Sequence, residues 1–391
     1  MSQKVFVVSA KRTPFGTFGG TFKNRSAIQL AVDAAQAALD QAGRPPVDHV
    51  FMGNVQQTSA DAPYLARHVG LKAGLPIEVP ALTVNRLCGS GFQALINGVE
   101  QILLGHAEVC LTGGTENMSQ APHAVYSARW GASLGTSPEF TDTLWAALTD
   151  SHCQTPMGIT AENLAEDYGV SREEADIYSL RSQTAWAAAQ ERGLFAEEIV
   201  PVEVPSKKGP LKVEVDEHPR TTSLEKLSAL KPVFKKEGRV TAGSASGICD
   251  GAAALVVASE QACAKHGLTP LAEVVSWATA GVDPTRMGIG PAPAVRRALE
   301  RAQTPLSDVV RVEVNEAFSA QVLAVEKELG LDRERTNVNG GAIALGHPLG
   351  ASGARIAGHL VYELRRVGGG TAVGSACIGG GQGIAVVLRS V

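Results

Sequence analysis

The chain opens on an apolar, β-branched run, Val5-Phe6-Val7-Val8, that continues through Ser9-Ala10 and reads as a first strand. Comparable runs over 109–114, 338–341 and 372–381 pass from valine, leucine and alanine into glycine. Between such runs lie stretches with helical spacing of apolar positions, at 27–42, 92–104, 317–329 and 354–366, and a longer one at 160–192. Strands alternating with helices predict a layered α/β fold. The glycines mark corners where the backbone turns tightly or lies close to a ligand.

Part of this pattern repeats. Thr83-Val84-Asn85 leads through a short loop to Gly89-Ser90-Gly91, a helix, and the run Val109-Cys110-Leu111-Thr112-Gly113-Gly114. Asn337-Val338-Asn339 leads through a longer loop to Gly350-Ala351-Ser352-Gly353, a helix, and Ala372-Val373-Gly374. The shared order predicts two topologically similar halves. Residues 118–244 differ in texture and read as an inserted, substrate-facing unit. The expected division is 1–117 with 245–268, then 118–244, then 269–391. Within the insertion, residues 207–239 hold nine lysines and arginines, Lys208 and Arg220 among them, against five acids. That local excess is either a solvated charged face or a seat for a phosphate-bearing ligand.

Composition narrows the class. A chain of 391 residues, 44% hydrophobic and 19% charged, is too long for a single core. A net charge of −4 gives no basic field for wrapping nucleic acid. No apolar run reaches the roughly eighteen residues of an integral membrane segment, and the start is too short for a secretory signal. The six cysteines form no C-x-x-C pair, and with the nine histidines they show no zinc-type spacing. Free thiols in a reducing compartment and no metal site are therefore expected. The absence of an arginine-rich leader suits a bacterial cytoplasm, with the mitochondrial matrix as the alternative.

Four motifs carry chemistry. Asn85-Arg86-Leu87-Cys88-Gly89-Ser90-Gly91 sets a thiol at a strand-to-helix corner, where the helix N-terminus favours thiolate. Gly346-His347-Pro348-Leu349-Gly350 fixes an imidazole on the repeat-related loop, a natural base for a thiol. Ser375-Ala376-Cys377-Ile378-Gly379-Gly380-Gly381 places a second thiol before bare backbone whose N–H groups can meet an oxyanion. Asn315-Glu316-Ala317-Phe318 follows an apolar run, where Asn315 also suits a helix N-cap. Gly131-Ala132-Ser133-Leu134-Gly135 matches G-x-S-x-G but has neither a strand before it nor a helix after it.

In this order and spacing the four motifs resemble the thiolase family. The likeness runs from Val5 to the C-terminus, and Val240-Thr241-Ala242-Gly243-Ser244-Ala245-Ser246-Gly247 is similar to the family's coenzyme A segment. Ser119-Gln120-Ala121-Pro122, Asp216-Glu217-His218 and Met287-Gly288-Ile289-Gly290-Pro291 look most like its mitochondrial-type 3-ketoacyl-CoA branch. The resemblance implies a five-layered α/β/α/β/α subunit with two similar halves and an inserted loop domain, assembled as a dimer or tetramer. It implies that Cys88 is acylated, that His347 activates it, and that Cys377 exchanges a proton with the reacting carbon. Asn315 would hold a water that, with His347, polarises the thioester oxygen, and the N–H groups of Cys88 and Gly379 would form a second oxyanion hole. Arg220, Thr222 and Ser246 would contact coenzyme A, and Met157, Met287 and Phe318 would line the ligand path. Coenzyme A and acyl-CoA would be substrates, with no cofactor permanently bound.

Three positions depart from the family pattern. Ser244 stands where Asn is frequent, Ser319 where Ala is common, and Pro156 where short-chain members carry His. Loss of a polar group at 156 favours longer or less discriminating acyl binding. The expected reaction is thiolysis of a 3-ketoacyl-CoA; the alternative is acetoacetyl-CoA thiolase acting in the condensing direction. A decarboxylating ketoacyl synthase would pair its cysteine with two histidines, which Cys377 argues against. An acyl-CoA-binding module without catalysis is opposed by the intact set.

Overall fold

The computed structural model describes residues 3–207 and 209–391, so Lys208 of the basic segment lies outside the described residues. Strand β1 (Val5–Arg12) follows the opening run. The strands of the first half are β2 (His49–Gly53), β3 (Ala81–Val84), β4 (Val109–Asn117) and β5 (Cys249–Ser259). They lie in the order β1-β5-β4-β2-β3: the first three are antiparallel neighbours, and the β4/β2 and β2/β3 pairs are parallel. In the second half, β6 (Ala272–Gly281), β7 (Val309–Val314), β8 (Thr371–Ile378) and β9 (Gln382–Ser390) run in the order β6-β9-β8-β7. Their senses match those of the first half, and a parallel bridge from Val312 to Thr336 stands where β3 stands. Phe6 and Val7 pair with Glu273 and Ala272, which joins the two halves.

Every residue of β4, β5 and β8 is buried. That explains why they read as continuous small and apolar runs rather than as alternating ones: both faces are covered. Helix α1 (Ala27–Gln41), with a Ser26/Gln29 capping box, and α2 (Leu65–Lys72) cover the outer face of the first sheet, burying Leu30, Ala34 and Val69 against Val50, Met52 and Leu111. Between the sheets lie α3 (Ser90–Leu103) and the long C-terminal helix Leu349–Arg366, whose first sixteen residues are all buried. These two helices cross where a Cβ on Gly91 would sit 2.5 Å from Ala354 N and one on Gly353 would sit 2.3 Å from Phe92 N. Only glycine fits there.

The insertion contains α4 (Met157–Asp167) and α5 (Arg172–Glu191). The sequence predicts a single helix over 160–192; it is broken at Gly169 (φ 59°) and restarted by a Ser171/Glu174 capping box. Beyond it, α6 (Pro291–Arg301) and α7 (Ser319–Leu329) cover the outer face of the second sheet, with Val295, Ala298, Val322 and Leu323 packed on Val312, Val373 and Val387. The central helix, α8, is Leu349–Arg366. The result is five layers, α/β/α/β/α. Buried Arg12 ties β1 to the insertion through Glu198 (2.8 Å) and Asp216 (2.6 Å).

Candidate active site

Cys88 sits on a tightly bonded turn between β3 and α3. Asn85 Oδ1 accepts from Leu87 N (2.9 Å), Ser90 Oγ accepts from Arg86 N (2.8 Å), and the Ser90 hydroxyl donates to Leu87 O (2.6 Å). Leu87 is held at φ 46° as a consequence. The turn aims Cys88 at the hairpin between β8 and β9, where Ile378 abuts Gly89 and the Gly379 N–H reaches the Cys88 thiol. Burial pushes the Cys88 thiol up to about 11, against the smaller opposing pull of the Gly379 and Cys88 N–H groups.

His347 is buried on the loop before α8, and its backbone N–H donates to Gly247 O (2.9 Å). Its Nδ1 is 2.6 Å from Ser352 Oγ, and the Ser352 hydroxyl donates to Pro348 O (3.0 Å). With the serine proton on that carbonyl, Nδ1 carries the ring proton and Nε2 is left as the base, the arrangement that Asn315 Nδ2 beside Nε2 favours. Burial, and secondarily the charge of Arg355, holds the imidazole down at about 3. Asn315 Nδ2 lies 3.4 Å from Nε2.

Asn315 is not the helix cap that its position suggests. The cap of α7 is Phe318, because residues 315–318 turn away from β7 before the helix begins. Asn315 N donates to Ser375 O (2.9 Å), two residues before Cys377 on the same strand, while its buried Oδ1 has no partner among the described residues. Cys377 is fully buried, and burial, with the neighbouring Cys88 adding to it, raises its thiol far above the ordinary range. A thiol so raised holds its proton. Cys88 and Cys377 are neighbours, and Asn315 links the strand of Cys377 to His347.

A cavity of about 240 Å³ reaches His347 and is lined by Met157, Ser246, Phe318, Trp145 and Phe234, among others. Met287 is buried against Met157, Phe318 and Cys377. Pro156 precedes the first residue of α4 at the same wall. Arg220 and Thr222 line a different cavity, of about 220 Å³, with Gln183 and Trp186 of α5. Ser244 and Ser319 are buried. The Ser319 hydroxyl lies 2.8 Å from that of Ser179, and Ser319 N donates to Ser244 O (2.8 Å), so both serines knit α7 to the insertion.

Sequence reasoning missed Ser352, Trp145 and Phe234. The first had a usable signal, lying on the first turn of the helix that follows His347. Among the described residues no group of three His, Cys, Asp or Glu side chains is placed to hold a metal, and no helix is long and apolar enough to cross a membrane.

A cysteine on the turn before a central helix of a doubled α/β/α/β/α fold, beside a second thiol from the other half, defines a class. The models of the thiolase N-terminal and C-terminal domains match residues 5–261 and 268–390, and the chain belongs to the thiolase family. It is 58% identical over 389 residues to the human protein named 3-ketoacyl-CoA thiolase, mitochondrial, covering 99% of this chain and 98% of that one. It is 46% identical to an acetyl-CoA acetyltransferase of Cupriavidus necator, covering 98% and 99% of the two chains. The crystal structure of human mitochondrial 3-ketoacyl-CoA thiolase in complex with CoA matches with a TM-score of 0.97 at 58% identity, over 100% of this chain and 98% of that chain.

Proposed function

We propose that this chain is an acyltransferase that cleaves a 3-ketoacyl-CoA with coenzyme A, giving acetyl-CoA and a shortened acyl-CoA. The observation that carries this reading is the meeting of Cys88, touched by the Gly379 N–H, with a His347 whose Nε2 is bare and a buried, protonated Cys377. The similarity to a relative named 3-ketoacyl-CoA thiolase at 58%, against 46% to one named for acetyl transfer, favours the ketoacyl substrate over acetoacetyl-CoA.

In the first half-reaction Cys88 Sγ attacks the 3-keto carbon and its proton passes to His347 Nε2. The N–H groups of Cys88 and Gly379 face the oxyanion. As the carbon–carbon bond breaks, the Cys377 proton goes to the departing enolate carbon, while Asn315 and His347 stabilise its oxygen, directly or through a water. In the second half-reaction coenzyme A attacks acyl-Cys88, the Cys377 thiolate takes its proton, and His347 returns its own to Cys88. Atoms and charges close over the cycle. Met157, Ser246 and Phe318 guide the pantetheine and acyl portions, and Met287 backs that wall; Arg220 and Thr222 meet the head group. The test is mass spectrometry after incubation with acyl-CoA. One acyl group on the Cys88 peptide, lost in Cys88→Ala together with turnover, is the expected result, and a label on Cys377 would reverse the roles.

The division into 1–117 with 245–268, 118–244 and 269–391 is supported by the return of β5 to the first sheet and by family matches that meet between 261 and 268. A homo-oligomer is supported by the unpaired edge of β3, where Leu82 is 46% exposed, and by exposed Tyr126, Trp130 and Phe140 in the insertion. Edge pairing gives a dimer and the insertion contact a tetramer; light scattering of Leu82→Lys, expected to lose the dimer, tests the first step. Six free thiols support a reducing compartment, and relatives named mitochondrial favour the matrix over a bacterial cytoplasm.

A further inference from the structure

The internal repeat places a second constellation opposite the reactive one. Gly53 pairs with Gly114 in the first half and Val314 with Ser375 in the second, both in parallel register. One residue beyond the first members of these pairs stand Asn54 and Asn315; two beyond the second members stand Glu116 and Cys377. The helix crossing extends the match, because Cys88 lies three residues before Gly91 and Gly350 three before Gly353. The counterpart of the Asn315, Cys377 and Cys88 set is therefore Asn54, Glu116 and Gly350, with a carboxylate in place of the thiol acid and no nucleophile.

Glu116 is fully buried and surrounded by donors. Its Oε1 accepts from Asn54 Nδ2 (3.0 Å) and Gln56 N (2.9 Å), and its Oε2 from Val55 N (3.1 Å) and Gly350 N (2.9 Å). Two of these bonds lead to the reactive loops. Val55 O accepts from Asn85 Nδ2 (3.3 Å), and Asn85 Oδ1 holds Leu87 N, beside Cys88. Gly350 is the third residue after His347 and lies in the first turn of α8. We infer that Glu116 is a positioning residue for the reaction: one buried carboxylate ties the loop of the nucleophile and the loop of its base to the same strand end.

The charged and titratable groups facing Glu116 are Asp250 of β5 and the Cys88 thiol, and the negative charge of Glu116 adds to the rise of the Cys88 pKa. Glu116→Gln keeps the shape but turns an NH2 group toward N–H donors, so at least one loop must move. The inference rests on the proposed thiolase reaction, and two measurements separate them: thiolysis kinetics, and the pH dependence of Cys88 alkylation by iodoacetamide, which needs no substrate. For Glu116→Gln, kcat should fall about 10- to 100-fold, as for a small misplacement of reacting groups, with KM for coenzyme A kept within about twofold. The alkylation profile should move to lower pH, because a like charge is gone. A role in the fold alone would lower the thermal midpoint without moving that profile, and that result, or a wild-type kcat, overturns the inference. An inactive wild-type enzyme would instead sink the reaction. Where Glu116→Gln does not accumulate, Asn54→Ala removes one of the four donors and should lower kcat at constant KM; an unchanged kcat there also overturns the inference.

Discussion

The Ser352 hydroxyl stands 2.6 Å from His347 Nδ1 and 3.0 Å from Pro348 O, so with its proton on that carbonyl it accepts from the imidazole. The serine thereby fixes which ring nitrogen is left as the base. Without it, the neutral ring can place its proton on Nε2, where it cannot take one from Cys88.

Ser352→Ala should lower kcat by about tenfold or more while leaving KM for coenzyme A nearly unchanged, the pattern of an interaction that matters only at the chemical step. Steady-state thiolysis measures it. A KM effect without a kcat effect would show that the serine shapes binding rather than the tautomer.

The neutral resting pair has its own signature in pH. Because burial depresses His347 from 6.5 to about 3, the unfolded chain binds that proton first as pH falls. The folded state therefore loses stability below pH 6.5, by about 2 kcal/mol at pH 5 if other groups are constant. His347→Asn should flatten that part of the thermal midpoint curve. For Cys88 the sign is opposite: its thiol is raised from 9.0 to about 11, so stability falls as pH rises past 9.0. Alkylation of Cys88 should accordingly keep rising through pH 9; a plateau near neutrality would reveal a preformed thiolate–imidazolium pair.

How much of this was legible in the sequence divides along physical lines. Cys88, Asn315 and Cys377 each stand at a strand end or a strand-to-helix corner that short motifs mark, and His347 stands on the glycine- and proline-bounded loop before α8; the structure sets Cys88 beside Cys377 and Asn315 beside His347, with Asn315 bonded to the strand that carries Cys377. The repeat in the sequence anticipated the matching strand orders of the two halves. What escaped depends on the surroundings. A helix N-terminus predicts thiolate at Cys88, but its pull is smaller than the cost of burying the charge, which only packing reveals. Glu116 meets Gly350 across 234 positions of sequence, a separation no local pattern encodes. The break at Gly169 was readable, since a glycine followed by Ser171 and Glu174 is a stop and restart signal that helical periodicity on either side concealed.

Arg12 is the main polar tie between β1 and the insertion. Its guanidinium is 2% exposed, donates to Glu198 and Asp216, and stacks near the rings of Phe15 and Phe195. Removing Arg12 leaves Glu198 with His359 alone and Asp216 with only the Phe15 N–H and the Trp186 indole, so Arg12→Met should cost about 3–5 kcal/mol. Denaturant unfolding measures this. A loss below about 1 kcal/mol would mean that water reaches Glu198 and Asp216.

The basic segment gives the sharpest separation between a ligand seat and a solvated face. Arg220 is exposed, its backbone N–H is anchored to Gln183 Oε1 (2.9 Å), and it lines the α5 cavity rather than the one that holds His347. A group so placed can touch the phosphate-bearing end of coenzyme A but not the reacting carbons. Exposed charge contacts are weak and screened by salt, so Arg220→Ala should raise KM for coenzyme A by no more than about fivefold and leave kcat unchanged. The effect should shrink as ionic strength rises, because the wild-type contact itself is being screened. Dephospho-coenzyme A serves as the control: if Arg220 meets the 3′-phosphate, its KM should respond less to the substitution. An equal response for both ligands would place Arg220 on the pyrophosphate instead, and an unchanged KM at low salt would make the segment a solvated surface.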